Sequence, residues 1–241
     1  MSQAIAVAFD PVERSQLYLR RVRRWLRARG ALDDSTWAEL EGEQRERFFA
    51  QGYRQVANLA GEIEAHTGCT LDSRRALDFG CGRGRMAIPL GERCEHVYGV
   101  DVGREALRQA DSNAKRLNVS NVEWLEASRL DELSGRYDLA VSFWVFQHIP
   151  SREGERLFAR ILHGLRPGGV GAVHFTLRPS RPASRPDLAY LYLLMNSYSL
   201  NRLGGVLADA GVTDWHVNWR TSRMENKEPY PAAIIIFRKD R

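Results

Sequence analysis

From Arg75 onward the chain alternates between two rhythms, and that alternation restricts the folds open to it. The stretches "RALDFG", "EHVYGVDV", "NVEWLEAS", "YDLAVSFW" and "GVGAVHFTL" are short, apolar and strand-like. Segments of helical period separate most of them: "GRMAIPLGER", "REALRQADSNAKRLN" and "REGERLFARILHGL". Such a pattern implies βαβ units and a parallel sheet covered on both faces. Right-handed crossovers then wind the sheet both ways and gather its loops at the strands' C-terminal edge. A helix, "SLNRLGGVLADAG" capped by Ser199, and two strands, "VTDWHVNW" and "AAIIIFRK", complete a doubly wound α/β domain predicted over residues 73–241.

The first seventy residues read differently, as helices. "DPVE" at Asp10–Glu13 supplies an N-cap, a proline at the first helical position and a carboxylate at the third. Tyr18, Val22, Trp25 and Leu26 then recur at helical spacing up to Gly30. A second helix is predicted from Asp34–Thr36 through Phe48 and Phe49. A third carries Val56, Leu59, Ala60 and Ile63 toward Gly68. Residues 1–72 are therefore expected to form a helical lid. After Arg178 comes "PSRPASRPDLAYLYLLMNSYS", too long for a tight turn, which reads as a cover insertion at about 179–198.

Composition excludes several classes. Hydrophobic residues at 44% and charged residues at 27% are ordinary for a globular protein, and no apolar run is long enough to cross a bilayer. The N-terminus lacks the layout of a secretory signal. Cys69, Cys81 and Cys94 form no CxxC pair, so neither a disulfide framework nor a metal site is expected, and a cytoplasmic location follows. The net charge of +5 is weak evidence for an acidic partner, because an arginine skew pervades the whole chain. The arginines around Trp25 could grip RNA or an anionic membrane, but a solvated helix face is the plainer reading.

The chemistry begins at "ALDFGCGRGR", residues 76–85. Phe79 ends the first predicted strand, and Gly80, Gly82 and Gly84 turn the chain into the next helix. Glycines there allow positive φ and let a ligand lie against bare backbone N–H groups. A dinucleotide fingerprint would need glycine at 85, where Arg85 stands. Asp101 ends the next strand about 20 residues on, where a carboxylate meets a ribose diol.

These stretches, with "VYGVDVG", "YDLAVSFWVFQHIP" and "LRPGGV", resemble the class I S-adenosylmethionine-dependent methyltransferases over about residues 73–178. The resemblance implies a Rossmann-like sheet of seven strands, the last antiparallel, with S-adenosylmethionine as cofactor. Carried over by position, Asp78 and the loop of Gly80, Cys81, Gly82 and Gly84 would face its methionine end. Asp101 would bind the ribose hydroxyls, Val102 would lie against adenine, and Phe143 would cover the methionine moiety. Ala127 and Ser128 stand where the family often places an acidic residue near the adenine amine; Ser128 or Glu126 could take that hydrogen bond.

Methyl transfer gains most from alignment and exclusion of water, and needs a base only if the acceptor must lose a proton. His148, just past the fourth strand, is the candidate base, against a structural role in orienting the next helix. His174 is expected to be buried and hydrogen-bonded. Tyr190, Tyr192 and Tyr198 are candidates for an acceptor pocket, with ordinary core as the alternative. The expected function is methylation of a small molecule, at oxygen. An RNA methyltransferase and a non-catalytic cofactor-binding protein are the alternatives. A nicotinamide oxidoreductase ranks last because of Arg85.

Overall fold

The computed structural model describes residues 41–72, 74–177, 196–222 and 230–241. Helix α1 (Gly42–Thr67) leads into β1 (Arg75–Phe79), α2 (Ala87–Gly91), β2 (His96–Asp101), α3 (Arg104–Arg116) and β3 (Val122–Glu126). A 3-10 segment (Ala127–Leu133) then leads to β4 (Tyr137–Ser142), a 3-10 turn (Phe146–His148), α4 (Ser151–Gly164) and β5 (Leu165–Thr176). Helix α5 (Leu200–Asp209) and strands β6 (Asp214–Ser222) and β7 (Tyr230–Arg238) follow.

The seven strands order as β3-β2-β1-β4-β5-β7-β6. Pairs among β1 to β5 are parallel, and β7 runs antiparallel between β5 and β6. The order reverses between β1 and β4, so a crevice opens beyond their C-terminal ends. All the strands and helices predicted within the described part of the domain are present. Those predicted before residue 41 lie outside the described residues.

Strand alternation sorts the interior into two layers. On one face, Leu77, Phe79, Val173, Phe175 and Ile235 pack with Leu157, Phe158 and Ile161 of α4 and with Leu203 and Leu207 of α5. On the other, Ala76, Leu139, Val141, Val170, Ala172 and Ile236 pack against Val56, Leu59, Ala60 and Ile63 of α1. The described end of the expected lid is thus part of the core. The 42–67 stretch is also one helix where two had been predicted. Gly52 does not break it, because its bare position is filled from outside. A Cβ there would lie 1.9 Å from the carbonyl oxygen of Arg85, so α1 crosses directly on the glycine loop.

Candidate active site

The same alternation carries Asp78, Phe143 and His174 toward the α1 face at the strands' ends. Asp78 follows Ala76 by two residues on β1, Phe143 follows Val141 beyond β4, and His174 follows Ala172 on β5. Two adjoining cavities open there, and both are lined by Phe143 and Trp144.

The first, of about 300 Å³, is lined by Asp78, Gly80, Cys81 and Gly82, with Phe48, Arg83, Arg85, Met86 and Val145 completing the wall. The loop is held by main-chain bonds. Gly80 and Cys81 donate to the Val100 carbonyl at 2.7 and 3.1 Å, which ties the end of β1 to β2. Gly80 has φ +77, and a Cβ on it would lie 2.1 Å from Val145. Gly82 has φ +53 and nothing within 4 Å of a Cβ position, so its bare face is open to a ligand. Gly84 instead packs at the helix start against Ile88 and Trp124.

Asp101 supports this loop from behind. Its carboxylate accepts from the Gly82 amide at 2.9 Å and the Gly103 amide at 2.8 Å. Burial pushes its pKa up, while the amides of Gly103, Gly82 and Val102 pull it back. Asp78 is 3% exposed, and its Oδ2 has no hydrogen-bond partner among the described residues. Burial raises its pKa to about 7, with Arg85 opposing the rise and Asp101 adding to it. Burial holds the Cys81 thiol far above its ordinary pKa, so it is no nucleophile. Val102 packs against the apolar core, and the register sets Asp101 beside Glu126, with buried Ala127 and exposed Ser128 next along the edge. Glu126 itself pairs with Arg104 at 2.7 Å.

The second cavity, about 250 Å³, lies between α1 and the β5–β7–β6 end of the sheet. Gln55, Asn58, Leu59 and Glu62 reach it from α1, and His174, Ile234 and Arg220 from the strands. Glu62 pairs with Arg220 through Oε1, while its Oε2 is buried and unpartnered among the described residues. His174 is 3% exposed and lies 6.2 Å from the Phe143 ring, near-parallel to it. Neither of its ring nitrogens has a partner among the described residues. Burial lowers its pKa to about 4. The hydrogen-bonded state expected for this histidine is therefore not what the core provides.

Trp144 stands at the junction with a left-handed backbone, φ 63, uncommon outside glycine. The Arg85 guanidinium lies 4.6 Å from its ring centroid and also donates to Gln55. Among described site residues, sequence reasoning marked Arg85 only as a departure from the dinucleotide fingerprint and did not pick out Trp144, Gln55, Asn58, Glu62 or Arg220 as site residues. One signal was present: Gln55, Asn58, Leu59 and Glu62 recur at helical spacing beside the apolar stripe of α1.

His148 sits half-buried in the turn after β4, its Nε2 3.3 Å from the Gln147 amide nitrogen, and lines neither cavity. Burial lowers its pKa. Tyr198 is a core residue and lines neither of the two cavities. It is fully buried, its hydroxyl lies 2.8 and 2.7 Å from the carbonyls of Phe146 and Ile149, and it bridges to Leu177. Its physical role is to brace the turn after β4. Tyr190 and Tyr192 lie outside the described residues.

The glycine loop, the buried Asp78 and the Asp101 carboxylate meet at the sheet's switch point, where Rossmann-like sheets bind their ligands. Comparison with known proteins agrees: residues 76–169 match a family model described as a methyltransferase domain. A curated relative, the ubiquinone biosynthesis O-methyltransferase of Acinetobacter baylyi, is 28% identical over 67% of this chain and 63% of its own length. A 23S rRNA (uracil-C(5))-methyltransferase of Aliivibrio salmonicida is 28% identical over 53% of this chain and only 28% of its own length. Among solved structures, magnesium protoporphyrin IX methyltransferase from Synechocystis with bound SAH covers 92% of this chain and 99% of its own, at a TM-score of 0.65 and 18% identity. The match over residues 76–169 and the fold shared with the Synechocystis enzyme support a domain of the S-adenosylmethionine-dependent methyltransferase kind.

The first cavity fits that family's cofactor. The orphaned Asp78 Oδ2 suits an ammonium group, and the open face of Gly82 admits close approach to the main chain. The Asp101 carboxylate, with two amides already bound, keeps acceptor capacity for hydroxyls. No helix among the described residues is long and apolar enough to cross a membrane.

Proposed function

We propose that this protein methylates a small molecule at an oxygen atom. The observation that carries the reading is the pair of adjoining cavities sharing Phe143 and Trp144. One offers the glycine loop and Asp78 to a cofactor; the other offers polar side chains to an acceptor held beside it. Bound in the first cavity, S-adenosylmethionine supplies an electrophilic methyl group. Asp78, Gly80 and Gly82 hold its methionine end, Asp101 its ribose, and Val102 with Ala127 and Ser128 the adenine side. Phe143 and Trp144 then separate the two compartments and keep water from the junction. Alignment and water exclusion of this kind supply most of what an in-line transfer needs.

Oxygen as the methylated atom is supported by the likeness to the ubiquinone biosynthesis O-methyltransferase. His148 lines neither cavity, so this reading assigns it to the turn that Tyr198 braces. The proton that a hydroxyl acceptor loses as its O–CH3 bond forms and the S–CH3 bond breaks goes to the Glu62 carboxylate, whose unpartnered Oε2 lines the acceptor cavity. The decisive measurement is calorimetric titration with S-adenosylhomocysteine and with NAD. Binding of the first alone is expected; binding of NAD alone would overturn the assignment. The rRNA relative makes RNA the competing acceptor. Affinity for RNA that falls steeply with salt, without turnover of any small hydroxylated compound, would favour it.

A further inference from the structure

We propose that the second cavity selects a compact, uncharged ring compound with neighbouring hydroxyl groups, one held by His174 and another by Glu62. This rests on the function proposed above, since it names the acceptor class of that reaction.

The argument is one of unmet valences. A buried polar group without a partner is costly, and native interiors seldom carry one without reason. Here two such groups line one cavity: the imidazole of His174, with both nitrogens unpartnered, and Oε2 of Glu62. A carboxylate oxygen only accepts, so a ligand must donate to Glu62. A neutral imidazole offers one donor and one acceptor, and a hydroxyl satisfies either.

Charge narrows the class further. Glu62 and Arg220 are ion-paired and cancel. His174 is held neutral by its burial, with a pKa near 4. A carboxylate or ammonium entering this cavity would shed water and find no free counter-charge among the described residues. The walls decide the shape: Phe143, Trp144 and Leu59 present flat or apolar surface, and about 250 Å³ suits a compact molecule over a drug-sized one.

The test uses the full-length protein saturated with S-adenosylhomocysteine and titrated by calorimetry with four probes. These are catechol, 1,2-dimethoxybenzene, benzoate and benzyltrimethylammonium. Catechol is expected to bind at least about tenfold more tightly than the other three, as loss of two hydrogen bonds to buried groups implies. His174→Leu should weaken catechol by about tenfold or more, while His174→Gln, which keeps a donor and an acceptor, stays within about threefold of the parent. Affinity for S-adenosylhomocysteine should hold within about twofold in both. The proposal is overturned if the parent binds dimethoxybenzene or either ion as tightly as catechol, if it binds no catechol, or if a folded His174→Leu retains catechol. Where a variant does not fold, the ranking of the four probes on the parent protein decides. Failure to bind S-adenosylhomocysteine would instead remove the methyltransferase reading, and the same ranking without it still decides the cavity's chemistry.

Discussion

The two cavities share a wall and are built on opposite principles. The first is built around a main-chain loop, Gly80 and Gly82 pinned by Val100 and Asp101, with Phe48, Phe143 and Trp144 closing it from farther along the chain. The second comes from side chains that the fold collects from Gln55 to Ile234, across α1 and three strands. Where main chain does the binding, few residue types will serve, because φ must be positive or a Cβ must be absent. Where side chains do it, many combinations fit the same frame. A cofactor common to many enzymes suits the first construction, and an acceptor particular to one suits the second.

Asp101→Ala puts the largest strain on this contrast. The carboxylate both positions Gly82 and, in our reading, meets the ribose. Its loss should weaken S-adenosylhomocysteine by about 1.5–3 kcal/mol, the range for hydrogen bonds to a charged group. Catechol binding to the second cavity should change far less, because the loop that Asp101 holds at Gly82 lines the first cavity and not the second. Calorimetry on the variant, with circular dichroism to establish folding, makes the comparison. Equal losses at both cavities would mean they are one site and not two.

The same difference governs what could be read in advance. The strands and helices were legible from Arg75 because apolar period 2 and period 3.6 are local properties. Gly82 was legible because positive φ leaves a mark in residue type, and Asp101 because it ends the next strand about 20 residues on. The α1 crossing was not: Gly52 reads as a helix weakness until the Arg85 carbonyl is seen against it. Tyr198 shows the reverse error. Its aromatic neighbourhood looked like pocket lining, but its partners, Phe146 and Ile149, lie about fifty residues away and make it a brace. His174 was visible as a strand residue, and only the absence of any partner gives it meaning. Arg220 and Glu62 meet across 158 positions, which no local pattern encodes.

A second prediction sharpens the electrostatic side of the contrast. Burial raises Asp78 from an ordinary 3.8 to about 7, so near pH 6 most of it carries a proton. An ammonium on the ligand pairs only with the ionised form. Affinity for S-adenosylhomocysteine should therefore rise about eightfold between pH 6 and 7.5, with proton release on binding at the lower value. The unliganded fold behaves oppositely: Asp78 contributes most at low pH, and that contribution is lost as pH rises toward 7. Asp78→Asn should flatten the binding profile. Calorimetry in buffers of different ionisation enthalpy measures both effects. A parent profile that is already flat would remove Asp78 from the ammonium's side.

Trp144 is the residue both cavities share, and the smallest effect is expected there. Its φ of 63 lies in the left-handed region, which costs a side-chain-bearing residue about 1–2 kcal/mol relative to glycine. Its ring also takes the Arg85 guanidinium at 4.6 Å, a contact worth about 0.5–1 kcal/mol at a partly exposed site. Trp144→Ala loses the contact and keeps the strain, whereas Trp144→Gly loses the contact and relieves the strain. The glycine variant should therefore be more stable than the alanine variant by about 1 kcal/mol, and close to the parent. Urea denaturation of the three proteins measures the ordering. Both variants should weaken ligand binding at both cavities, because the wall between them is gone. Equal stability of the two variants would mean the left-handed backbone stores no strain, and Trp144 would then be a surface residue that the junction does not need.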